Sequence, residues 1–99
     1  MAEGEILALR QEMTIARDAF FAVLPAAVPG GTFEVAGQDI GARDGERRWR
    51  IVLAPLPDLC LGALRLPRHG VEVWLAGFDA AATARFVERF ELAFRRAGG

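Results

Sequence analysis

The sequence predicts an α+β fold: an N-terminal helix, a five-stranded antiparallel meander, and a long C-terminal amphipathic helix packed with the first on one sheet face. Three observations carry this expectation. Apolar residues recur every three or four positions at both ends of the chain. Between those ends the period falls to two. Gly, Pro and Asp punctuate the middle about every ten residues. With 99 residues, 53% of them hydrophobic, the chain reads as a single domain over 1–99 with one core.

Ile6, Leu9, Met13, Ala16, Phe20 and Val23 advance in steps of three and four, which predicts a helix from about Ile6 to Leu24, stopped by Pro25. The first half also fits a period of two through Leu7, Leu9, Met13 and Ile15, with Thr14 capping a shorter helix from about Ile15. The longer helix is the preferred reading.

After a Pro/Gly linker, Thr32 to Ala36 and Asp39 to Arg43 read as short strands around Gly37, and Asp44-Gly45 turns the chain into a strand from Glu46 to Ala54. Pro55 and Pro57 are expected to interrupt pairing, since proline offers no N–H to a ladder. Leu59 to Leu66 and Val71 to Ala76 then read as a hairpin about Pro67-Arg68-His69-Gly70. Asp79 is placed to cap the last helix, whose Phe86, Phe90 and Phe94 lie on one stripe, and Arg95, Arg96 and Gly98 suit its end.

The chain has no serine, lysine, asparagine or tyrosine, so nucleophilic, Schiff-base and oxyanion roles that need those side chains are excluded. This bias, with arginine in place of lysine throughout, is that of a GC-rich, bacterial-type genome. One cysteine and one histidine do not make a zinc ligand set, and no cofactor or metal is expected. Cys60, in an apolar context, reads as a buried core residue and His69 as an exposed turn residue, too far apart for a nucleophile–base pair. The acidic N-terminus is wrong for a secretory signal and no apolar run is long enough to span a membrane, so a cytoplasmic location and no membrane partner are expected.

Alternation in the two central strands sends Trp49, Ile51, Leu53, Val71, Val73 and Leu75 to the helices. Arg48, Arg50, Glu72 and Trp74, with Arg65 from the strand between, then fall on the opposite, helix-free face. Arginine around tryptophan has the composition of an interface, which points to a small non-catalytic interaction or accessory-subunit protein that binds itself, as a homodimer, or a protein partner. A nucleic-acid partner is disfavoured by Glu72 among the arginines and a net charge of −1.

Two resemblances supply alternatives. A long C-terminal helix over an antiparallel meander resembles helix-grip folds, which implies an apolar-ligand or enzyme pocket lined by Phe86, Phe90 and Leu53. The terminal Gly98-Gly99 resembles the ends of ubiquitin-like sulfur carriers, which implies a carrier role.

Overall fold

The computed structural model describes residues 4–97. Two helices lie on one face of a five-stranded antiparallel sheet, so the chain is α+β. The elements are β1 (Ile6–Met13), α1 (Arg17–Ala27), β2 (Glu34–Ala36), β3 (Asp39–Asp44), β4 (Arg47–Leu61), β5 (Leu64–Ala76) and α2 (Ala80–Arg96). The strand order is β1-β5-β4-β3-β2, so β1 sits beside the last strand and α1 carries the chain across the sheet to the far edge.

The long N-terminal helix is therefore replaced by a strand and a shorter helix. Leu9 and Met13 join the core cluster from one side of β1, while Arg10 and Glu12 point to the other, and pairing with β5 from His69 to Leu75 covers an edge that would otherwise be bare. Tertiary pairing outweighs the helical spacing that the same residues also satisfy. The helix α1 runs through Pro25 to Ala27, because a proline in the last turn removes a single hydrogen bond.

The prolines of β4 do not end it either. β3 pairs with β4 only up to Val52, so Pro55 and Pro57 lie where one edge of β4 has no described neighbour, and a bulge between Leu56 and Leu59 absorbs the irregularity. The hairpin turn is at Gly62-Ala63, between the paired Leu61 and Leu64, with Gly62 at φ 61°. Consequently Leu59 to Leu66 is no single strand, and Pro67 to Gly70 lies inside β5. Beyond the core, β4 and β5 continue as a two-stranded arm, and the molecule is elongated, 48 × 27 × 21 Å.

Beneath the helices, Ile40, Trp49, Ile51, Leu53, Val71, Val73 and Leu75 are buried as the alternation predicts. Phe20 and Leu24 of α1 and Phe86, Phe90 and Phe94 of α2 close over them. Phe20 stacks on Phe94 with ring centroids 4.8 Å apart, and Phe90 lies 4.8 Å from Phe94. The Asp79 carboxylate accepts the Ala82 N–H at 2.8 Å, which caps α2 as expected. Among the described residues no helix is long and apolar enough to cross a membrane.

Candidate functional site

The helix-free face is built by the even-numbered residues of β4 and β5. Cross-strand pairing sets Arg50 opposite Trp74, Val52 opposite Glu72 and Arg48 opposite Ala76, so Arg48, Arg50, Glu72 and Trp74 share this face. Arg65 does not. It is paired with Cys60 near the tip of the arm and belongs to the odd series of β5, which faces the other side.

The arginines are bound into the protein's own surface. Arg50 donates from Nε and Nη2 to both carboxylate oxygens of Glu5, at 2.9 and 3.0 Å, and from Nη1 to Asp39 at 3.1 Å. The Glu5 side chain is only 4% exposed, so this bidentate pair is largely shielded from water. Hydrogen bonding to Glu5 raises the Arg50 pKa above the ordinary guanidinium value against an opposing effect of burial, with the Glu5 and Asp39 charges adding to the rise. Its guanidinium carbon lies 5.6 Å from the centre of the Trp74 ring.

A second group forms beside it. Arg10 meets Glu72 at 3.0 Å, and the Trp74 indole N–H donates to the other Glu72 oxygen at 3.1 Å. Arg68 pairs with Glu12. Arginine and carboxylate thus alternate across the face, which makes it less available to an acidic partner than its composition suggests. Glu5, Arg10, Glu12 and Arg68 went unassigned to this face because β1 read as helix and Arg68 as part of a turn.

The apolar part of the face lies further along the same strands. Gly70, opposite Ala54, leaves a trough of about 420 Å³ between Arg10 and Glu12 on one side and Val52 and Leu56 on the other. Past Leu56 the pairs Leu59↔Leu66 and Leu61↔Leu64 place four leucines on one side of the arm. Leu59, Leu61 and Leu64 are 36%, 57% and 54% exposed, with no helix against them. The signal for this patch was the alternation of leucines on both sides of Gly62, hidden by a misplaced turn.

Comparison with family models, curated proteins and solved structures finds no match. The function therefore rests on the geometry of the chain itself.

The reactive side chains stand apart. Cys60 is exposed on the arm, not buried, because β4 outruns the core. His69 is buried, not exposed, and its Nδ1 lies 2.8 Å from the Ile15 carbonyl oxygen, to which it donates since a carbonyl can only accept. Arg65, the partner of Cys60, is four residues from His69 along β5, a separation of roughly 13 Å at ~3.3 Å per residue. No proton transfer between Cys60 and His69 fits that spacing. The volume between α2 and the sheet, where a helix-grip ligand would lie, holds Phe20, Phe90, Phe94 and Leu53, each fully buried. Gly98-Gly99, and any carrier role for them, lie outside the described residues.

Proposed function

We propose that the chain is a small, non-catalytic interaction or accessory-subunit protein of the cytosol that docks a protein partner on its helix-free sheet face. The partner presents an apolar ridge, which lies along the trough over Gly70 and the leucines of the arm. The observation that carries this reading is the exposure of Leu59, Leu61 and Leu64 on one side of a hairpin that has no core of its own. A two-stranded ribbon is marginal in water, and its leucines gain most when a second surface covers them. The internally paired charges around Arg50 and Glu72 form a polar border with little desolvation left to complete, while Trp74 supplies a rigid ring at that border. The single exposed thiol suits a reducing compartment.

A photo-crosslinking amino acid at Leu61, introduced in the cells that make the protein, tests this. The expected result is one discrete adduct, identified by mass spectrometry, that is lost when Leu59 and Leu64 are changed to Asp and absent when the probe stands at Glu88 on the outer side of α2. An adduct formed equally from Leu61 and Glu88, or none from Leu61, overturns the reading.

A further inference from the structure

We infer that β1 is a self-pairing edge: two copies of the chain join β1 to β1 antiparallel about a two-fold axis at Gln11, giving one continuous ten-stranded sheet. The surface is distinct from the arm. β1 ends the strand order, and among the described residues it pairs with β5 alone, so its outer edge presents backbone donors and acceptors.

Two independent observations select the same register. The first is length. The ladder with β5 is irregular between Leu7 and Leu9 and regular from Leu9 to Met13, so the flat stretch open to a new strand is Leu9–Met13, and its middle residue is Gln11. The second is charge. A two-fold axis through an antiparallel pair must set residues of like parity opposite each other, or every side chain would change face. Centring on Arg10 or on Glu12 puts two like charges directly opposite. Centring on Gln11 puts Arg10 opposite the second copy's Glu12 twice over, with Leu9 opposite Met13 on the helix side.

The existing ion pairs extend this pattern. Arg10 already binds Glu72 and Glu12 already binds Arg68, both on the helix-free face. Self-pairing then produces a row of alternating sign: Glu72, Arg10, the second copy's Glu12, and the second copy's Arg68. Both pairs of helices lie on one side of the joined sheet. The two helix-free faces become one surface, and the arms, each at the Met13 end of its own β1, project from opposite ends.

Sedimentation velocity on the wild type, Arg10→Glu and Glu12→Arg, singly and as an equimolar mixture, tests the proposal. The wild type is expected to dimerise. Each variant alone sets like charges opposite and should dimerise at least about tenfold more weakly. In the mixture the all-acidic edge meets the all-basic edge, and a heterodimer should form at least about tenfold more tightly than either homodimer, although each chain keeps the same internal repulsion it has alone. A wild type that stays monomeric at about 200 μM, or a mixture no tighter than its parts, overturns the proposal. Gln11→Cys in a Cys60→Ala background gives a second reading that does not depend on charge. Directly opposed residues have Cα atoms about 4.5–5.5 Å apart, within disulfide range, so oxidation should yield a covalent dimer, whereas Arg10→Cys, offset by two residues from its own copy, should not. Failure of Gln11→Cys to cross-link counts against β1 pairing and leaves the arm's photo-crosslinking result unaffected.

Discussion

Arg50 stands directly across the strands from Trp74, its guanidinium over the indole ring, and is held there by both oxygens of a Glu5 carboxylate that is almost wholly shielded from water. The pair ties the chain just before β1 to the centre of β4. Removing the arginine takes two charge-assisted hydrogen bonds from a buried carboxylate. Arg50→Ala is expected to lower stability by about 2–4 kcal/mol, measured by urea denaturation, and Glu5→Gln added to it should recover part of the loss.

The pH dependence of that effect follows from the direction of the Arg50 shift. Its folded pKa is raised, so its stabilising contribution is fully present below the ordinary guanidinium value of the unfolded chain and is lost only as pH climbs through the still higher folded value. The stability difference between the wild type and Arg50→Ala should therefore be constant from about pH 7 to about pH 10. A difference that shrinks steadily over that interval would mean that Arg50 loses its proton well below the ordinary guanidinium range, against the raised pKa.

The aromatic cluster joins the two helices to each other and to the sheet. Phe94 is 2% exposed and packs on both Phe20 and Phe90. Truncating it removes contacts to both helices, so Phe94→Ala should cost about 3–5 kcal/mol. For a domain of this size that is a large part of the total, and thermal unfolding by circular dichroism should show a strongly lowered midpoint.

What the sequence made legible depended on whether one pattern had a single physical meaning. The Phe86, Phe90, Phe94 stripe and the Asp79 cap have one, and the strand from Trp49 to Leu53 alternates without rival; all three stand in the structure as expected. Leu9 and Met13 fit both periods, and what decides between them is the edge of β5, which is remote in sequence. Pro55 and Pro57 break a strand only where both its edges are paired, and no local pattern tells that the pairing of β4 with β3 ends at Val52. Those two ambiguities hid Glu5, Arg10 and Glu12 and the leucine arm, while Arg50 and Trp74, on an unambiguous strand pair, were placed together correctly.

His69 owes its burial to the continuation of β5 past Gly70. Its ring fills the end of the core and binds the Ile15 carbonyl just before α1 begins. Without the ring that carbonyl loses its partner, and His69→Leu should cost about 1–3 kcal/mol although it is apolar and of similar bulk. Nitrogen NMR should find the proton on Nδ1, and a bare Nδ1 would contradict the hydrogen bond.

The arm has the opposite energetics. From Pro57 to Arg65 every residue is exposed, so its backbone hydrogen bonds are held by cross-strand pairing and little else, and local opening there need not involve the core. Amide hydrogen exchange should be faster at Leu59 to Leu66 than at Ile51 to Leu53 by several orders of magnitude. Gly62 sits at φ 61°, where a β-branched side chain costs about 1–2 kcal/mol, so Gly62→Val should speed exchange along the arm further while moving the global unfolding midpoint little. Equal protection of arm and core, or a global loss of stability in Gly62→Val, would mean that the leucines are already covered within the monomer and that the arm is not free to receive a partner.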